Sequence, residues 1–227
     1  MSTQHPSSDL LKKFAEAQID GAISSVVSAH TEHCSLCLKA LRGLELQLSS
    51  QVFNADSQMS TTQLDDAWKK ISSRLTADTD ATKNLDIQSE LQLDGCKFVL
   101  PKALRQWCKV PLRWVAFGKG GKICKVGDEK GRSLFLIYLA ANEEVPLHSH
   151  AGHEHSYVIS GRYSADGVDY NTGDFSCSAE DVTHAPKAGS DGGCLLLSSV
   201  ETRLNFFHGL LSPLNGPLWW VLSLRLR

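Results

Sequence analysis

Glu144-Val-Pro-Leu-His-Ser-His-Ala-Gly-His-Glu-His-Ser-Tyr-Val-Ile-Ser-Gly161 is the stretch on which the fold turns. Within it His148, His150 and Glu154 stand at the spacing H-x-H-x3-E, and Gly161 follows. Side chains along a strand alternate faces with a period of two, so His148 and His150 share one face. Ala151-Gly152-His153 is a short break whose glycine lets the chain bend, and Tyr157-Val158-Ile159 reads as the returning strand. Two imidazoles and a carboxylate converging on one point suit a borderline divalent cation such as zinc, iron, manganese or nickel. His184, in Glu180-Asp-Val-Thr-His-Ala-Pro186, is the candidate that closes the set. Four of the nine histidines fall between His148 and His155, a density that packing alone does not explain.

Around this stretch, from about Leu93 onward, short apolar runs alternate with turn signals. The runs include Leu112-Arg-Trp-Val-Ala-Phe117 and Ser133-Leu-Phe-Leu-Ile-Tyr-Leu139; the turns include Gly118-Lys-Gly-Gly121, Asp166-Gly167, Thr172-Gly-Asp174 and Asp191-Gly-Gly193. Short strands at such intervals predict a β-barrel or sandwich. The first third has a different texture. Leu10, Phe14 and Ala17 mark a first helix with Ser7 or Ser8 as its cap, and a second runs from about Gly21 to Thr31. A third spans about Cys34 to Gln51 through Leu38, Leu41, Leu44, Leu46 and Leu48. A fourth follows Ser60 with the amphipathic stripe Leu64, Ala67, Trp68, Ile71 and Leu75. Residues 76–92 are polar, lack periodicity and read as a linker. The expected architecture is therefore α + β in two domains: a small bundle of about four helices over 1–75, a linker over 76–92 and a β domain over 93–227.

The chain of 227 residues fits one large domain or two small ones, and its 42% hydrophobic content allows a core. A net charge of -2 argues against a basic nucleic-acid binder. Residues 1–95 carry 8 Lys+Arg against 13 Asp+Glu, a mildly acidic balance. The start, Met-Ser-Thr-Gln-His-Pro, is polar and does not read as a secretory leader. Gly216-Pro-Leu-Trp-Trp-Val-Leu-Ser-Leu224 is too short to span a bilayer. A cytoplasmic location is expected. The seven cysteines then point to thiols or metal ligands rather than to a disulfide framework.

His30-Thr-Glu-His-Cys-Ser-Leu-Cys37 is a second constellation, H-x3-C-x2-C. Two thiolates from a tight turn and an imidazole one helical turn upstream form an S/N set that selects zinc, which prefers four tetrahedral ligands. His5 is the best candidate for the fourth. His33 competes but points elsewhere if the segment is helical. A redox C-x2-C normally follows a strand, and none precedes this one. Cys96, Cys108, Cys124, Cys177 and Cys194 lack paired spacing and read as core residues.

With both constellations located, the chain resembles the ChrR group of anti-sigma factors, in which a zinc-binding helical domain precedes a cupin, the double-stranded β-helix barrel. The resemblance implies zinc ligands His30, Cys34 and Cys37, with His5 at the N-terminal histidine of that group. The first cupin motif, H-x-H-x3-E-x6-G, implies His148, His150, Glu154 and Gly161. The second matches at Gly173 and His184. Where the motifs commonly have glycine, Asn142 and Asp181 stand here, and Ala179 and Ala188 replace the usual proline and asparagine. The function implied is sequestration of an extracytoplasmic-function sigma factor and its release on singlet-oxygen or related oxidative stress, sensed through the cupin metal. That metal would be zinc, with manganese, iron and nickel as the other candidates. Leu64, Trp68, Ile71 and Leu75 are a candidate clamp on the sigma factor, or else the core of their own domain. At least one of His153 and His155 is expected to face solvent. A metal-dependent cupin dioxygenase or isomerase and a small-molecule-sensing cupin regulator are the rival readings.

Overall fold

The computed structural model describes residues 4–54, 61–77, 90–104, 107–108, 111–129, 131–150, 152–201 and 204–206. Helices come first: α1 (Ser8–Ala15), α2 (Gly21–His33), α3 (Ser35–Asn54) and α4 (Thr61–Ala77). Ser7 is the α1 cap, its side chain accepting from the Leu10 N–H, and Asp20 caps α2 through the Ile23 N–H. A hairpin of β1 (Glu90–Leu93) and β2 (Cys96–Val99) follows, then a 3-10 turn at Lys102–Leu104. The barrel strands are β3 (Val115–Phe117), β4 (Gly121–Glu129), β5 (Arg132–Leu139), β6 (His148–His150), β7 (Glu154–Ser160), β8 (Arg162–Ala165), β9 (Val168–Asn171), β10 (Phe175–Ser178), β11 (Lys187–Ala188), β12 (Cys194–Glu201) and β13 (Leu204–Phe206).

One antiparallel sheet runs β10-β7-β12-β5-β4-β3, and the smaller sheets β11-β8-β9 and β13-β6 complete the barrel. The expected order, helices and then a cupin-type barrel, is what the chain adopts. The hairpin at Asp166-Gly167 has positive φ at both residues (52° and 77°), the backbone that two-residue hairpins favour. Residues 90–92, expected in the linker, instead form β1: Leu91 and Leu93 are buried while Glu90 and Gln92 face out. Two leucines in alternation are too short a pattern to register as a strand in sequence.

The large sheet is buried on both faces, which accounts for the unbroken apolar run of β5. Leu134, Leu136 and Tyr138 of β5, Leu195 and Leu197 of β12, and Tyr157 and Ile159 of β7 join one core with α2. The alternate positions, including Leu139, Val158 and Leu196, face the barrel interior. Helix α2 lies between the sheet and the other helices, with Ala22, Ile23, Val26, Val27, Ala29 and His30 all buried. A helix buried all round, rather than along one stripe, is a central core helix. Its polar contacts reach the barrel along its length. Asp20 pairs with Arg132 at 3.2 Å, and Arg132 also holds Glu201 at 2.6 Å. The Gly21 N–H donates to Glu129 at 2.9 Å, and the Trp107 indole N–H donates to Ser25 at 2.6 Å. At the far end, Glu32 accepts the N–H groups of Lys102 and Ala103 at 2.9 and 2.7 Å.

Of the cysteines read as core, Cys108, Cys124 and Cys194 are buried, whereas Cys96 and Cys177 are exposed. Cys96 closes the tight turn of the β1–β2 hairpin and Cys177 lies on β10, the outermost strand of its sheet. The Leu218-Trp-Trp-Val-Leu222 segment lies outside the described residues.

Candidate metal centres

The first centre forms where α2 gives way to α3. Cys34 takes an extended conformation as the α2 C-cap, its N–H still bonded to the His30 carbonyl, and α3 restarts at Ser35. This break swings Cys37, in the first turn of α3, back over His30. His5 comes in from the N-terminal segment, and the ligand atoms of His5, His30, Cys34 and Cys37 all lie within 4.8 Å of one another. His5 Nδ1 is 3.4 Å from His30 Nε2, 3.4 Å from Cys34 Sγ and 3.5 Å from Cys37 Sγ. His33 is not in the cluster; its ring bonds the Tyr157 hydroxyl at 3.1 Å. Burial lowers the His30 pKa to about 4, and burial together with the neighbouring Cys34 pushes the Cys37 thiol up to about 12. A neutral imidazole and crowded thiols in a buried pocket are groups that a cation would compensate.

The second centre sits in the barrel. His148 and His150 lie on β6, Glu154 opens β7, and His184 is bridged to His148 by reciprocal backbone bonds of 2.9 and 3.0 Å. Gly152 lies between β6 and β7 beside the Glu201 carboxylate, which a side chain there would displace. His148 Nδ1 donates to the Pro146 carbonyl at 2.9 Å and His150 Nδ1 to the Gly152 carbonyl at 2.6 Å. These bonds fix the tautomers and aim both Nε2 atoms inward, the arrangement that supports metal-ligating histidines. His184 Nε2 is 3.2 Å from His148 Nε2, and Glu154 Oε2 is 3.3 and 3.4 Å from the Nε2 atoms of His150 and His184. His150 Nε2 is buried and faces the Glu154 carboxylate. The Ser156 hydroxyl donates to Glu154 Oε1 at 3.1 Å, leaving Oε2 for the cluster. Burial opposes ionisation of Glu154, but the surrounding imidazoles outweigh it and hold the carboxyl well below its usual range. Beside the site is a cavity of about 170 Å³ whose lining includes Tyr163, Tyr170 and Ser176.

All eight candidate ligands thus assemble into two groups of four that could each hold a metal ion. Two of the four motif departures have a conformational explanation. Asn142 and Asp181 both have positive φ, 61° and 58°, and asparagine and aspartate are the residues best able to stand in for glycine there. Gly161 does require glycine: its φ is 85° and a Cβ would meet the Gly193 carbonyl at 2.2 Å. On α4, Leu64, Trp68 and Ile71 are 53%, 66% and 52% exposed, so the stripe does not form the core of its own unit. The Leu75 side chain lies outside the described residues.

Of the two flanking histidines, His153 is exposed and His155 buried. His155 faces α2, its Nδ1 lacks a hydrogen-bond partner among the described residues, and burial followed by the nearby Arg132 charge lowers its pKa to about 4. Unfolded histidine titrates near 6.5, so this folded-state depression makes stability fall as pH drops from about 6.5 to 4, by about 3 kcal/mol at one proton and ~1.4 kcal/mol per pH unit. His155→Leu is expected to remove that increment: denaturant titrations at pH 7 and pH 4.5 should show a smaller acid loss than in the parent chain. An unchanged difference would mean that His155 is not among the groups driving acid unfolding.

The fold and its centres define a class: a cupin-type barrel with a three-histidine, one-glutamate site, joined to a helical unit with a two-histidine, two-cysteine site. Residues 109–202 match the family profile of the ChrR cupin-like domain. The whole chain resembles the anti-sigma-E factor ChrR of Cereibacter sphaeroides, 24% identical over 97% of this chain and 100% of that protein. The crystal structure of Rhodobacter sphaeroides SigE in complex with the anti-sigma ChrR shares the fold, with a TM-score of 0.66 at 21% identity, over 88% of this chain and 100% of the matched one. Among the described residues, no helix is long and apolar enough to cross a membrane.

Proposed function

We propose that the chain is an anti-sigma factor that binds an extracytoplasmic-function sigma factor through its helices and releases it when the barrel senses oxidative stress of the singlet-oxygen type. The observation that carries the reading is end-to-end likeness to an anti-sigma factor in a chain that also assembles both ligand sets. Residues 1–77, which carry the four helices, form the partner-binding part, and the chain from β1 at Glu90 onward is the sensor. The protein acts in the cytoplasm, where Cys34 and Cys37 stay reduced.

Zinc suits the helical centre. Zinc–nitrogen and zinc–sulfur bonds of about 2.0 and 2.3 Å give tetrahedral edges of roughly 3.3–3.8 Å. The separations of 3.4 and 3.5 Å around His5 fall in that range. Four protein ligands leave no open position, so this zinc is structural. The barrel ligands His148, His150, Glu154 and His184 take a second divalent ion, zinc in the first instance, or manganese, iron or nickel. An ion there supplies a redox-addressable or labile centre, while Ser156, Pro146 and Gly152 orient its ligands. A regulator fits better than an enzyme, because the 170 Å³ cavity beside the ligands is below the roughly 300–1,000 Å³ of typical substrate pockets.

The test is co-expression with an extracytoplasmic-function sigma factor of the same organism. The full chain is expected to co-purify with the sigma factor and silence its reporter, and Glu154→Ala is expected to keep silencing but lose release under a singlet-oxygen generator. Absence of sigma capture by the parent chain would remove the regulatory reading, and normal release by Glu154→Ala would remove the barrel from the sensing step.

A further inference from the structure

The helical centre is held in part from the barrel. His30 Nδ1 donates to the Gly173 carbonyl at 3.0 Å, which turns Nε2 towards the cysteines. The next residue, Asp174, is 1% exposed. One of its carboxylate oxygens accepts the Gln4 N–H at 3.1 Å and the other accepts the Asn171 N–H at 2.8 Å. The Phe175 N–H then donates to the Gln4 carbonyl at 3.1 Å, and the Phe175 ring lies edge-on to His30 at 6.0 Å. Gln4 immediately precedes His5.

Three consecutive barrel residues therefore contact the two segments that supply imidazoles to the helical cluster. Their own placement is rigid. The Gly173 N–H donates to the Val158 carbonyl at 2.9 Å and the Val158 N–H donates to the Asp174 carbonyl at 3.0 Å, which ties the turn to β7, a strand paired on both sides in the large sheet. Gly173 has a φ of 94°, a conformation in which a residue with a side chain would be strained. His5 needs such support more than the other ligands. His30, Cys34 and Cys37 are buried on or between α2 and α3, whereas His5 is exposed on the segment ahead of α1. Fixing that segment raises the local concentration of its imidazole at the cluster, and a buried carboxylate accepting a backbone N–H is a strong way to fix it.

We propose that Asp174 is a positioning residue for the helical metal centre: through Gln4 it holds His5 at the fourth ligand position. The ion affinity of the helical centre then depends on the docked barrel, and by linkage an ion in that centre tightens the docking by the same factor. The same strand ends at the other centre, where the Ser178 hydroxyl is 3.4 Å from His184 Nδ1, so β10 touches both. This inference rests on the reading of His5, His30, Cys34 and Cys37 as zinc ligands.

The experiment uses the full-length chain with zinc titrated against a chromophoric chelator, and Cys34→Ala/Cys37→Ala to identify the helical ion. Asp174→Ala removes the acceptor; Gln4→Pro removes the N–H that it accepts while keeping Asp174, and stands alone if Asp174→Ala does not fold. Circular dichroism and retention of the barrel ion report on the fold. Loss of such outer hydrogen bonds commonly weakens metal binding by about 10–100-fold, and a loss in that range is expected for the helical ion with the barrel ion retained. In the parent chain, removing zinc should raise amide exchange at Phe175 at least tenfold and leave the centre of β5 unchanged. Parent-like helical zinc affinity in Gln4→Pro, with the barrel ion in place, overturns the proposal while the zinc reading stands. If the parent chain holds no zinc that the cysteine pair accounts for, the zinc reading falls and the proposal with it.

Discussion

Full-length protein carrying Cys34→Ala together with Cys37→Ala is expected to lose one equivalent of zinc and all measurable capture of the sigma factor. Apparent binding free energies of structural zinc sites are about 10–16 kcal/mol near neutral pH, and in small domains that energy is largely folding energy. Here the centre joins three segments: the stretch before α1, the end of α2 and the first turn of α3. Without the ion, α2 still has the barrel to pack on through Val26, Val27 and Ala29. The segment before α1 and the orientation of α3 lose their common anchor, and the helical surface offered to a partner loses its shape. The Cys37 thiol is pushed up to about 12 without a cation, so zinc binding must displace protons and will weaken as pH falls. Metal analysis and sigma pull-down check both halves of the expectation. Sigma capture by a variant shown to lack the ion would separate partner binding from the zinc centre.

How much of this was legible from sequence follows from the range of the contacts involved. The H-x3-C-x2-C and H-x-H-x3-E spacings are local, so six of the eight ligands could be assigned to their centres from periodicity and short motifs, with His5 and His184 the exceptions. His5 was legible only as a flexible histidine near the first helix. Why it sits at the cluster depends on Asp174, 170 residues from Gln4, and nothing in the local pattern of either segment announces the pairing. The same holds for Arg132, whose bonds to Asp20 and Glu201 fasten α2 to the barrel. Helix α2 was readable as a helix, but its apolar residues surround the axis, and a single sequence does not say that a sheet lies on one side and helices on the other. Asn142 and Asp181 looked like departures from a motif; as left-handed residues they preserve the backbone that glycine usually supplies there.

Replacing Trp68 by alanine is expected to weaken sigma binding by about 2–4 kcal/mol, roughly 30- to 1,000-fold, without lowering the stability of the free protein. Two observations separate these effects. Trp68 is 66% exposed, with Leu64 and Ile71 beside it at helical spacing and also more than half exposed, so truncation opens no cavity. An amphipathic helix that leaves its aromatic anchor in water has apolar area still to bury, and a groove on a partner is where such a face goes. Leu75 continues the spacing by one more turn. The α3 residues Leu36, Leu46 and Val52 are exposed as well, which extends the apolar surface available to the same partner. Leu64→Ala and Ile71→Ala should each cost less than Trp68→Ala, because binding energy concentrates at large central anchors. Val26→Ala is the informative contrast. Val26 is fully buried in α2, so its truncation should lower the unfolding free energy by about 1–3 kcal/mol through lost packing, while the α4 stripe stays intact. Calorimetric titration of the sigma factor, read beside denaturant unfolding of the free chains, separates the two losses. A Trp68→Ala chain that binds the sigma factor as tightly as the parent would move the clamp off α4 and onto the exposed face of α3.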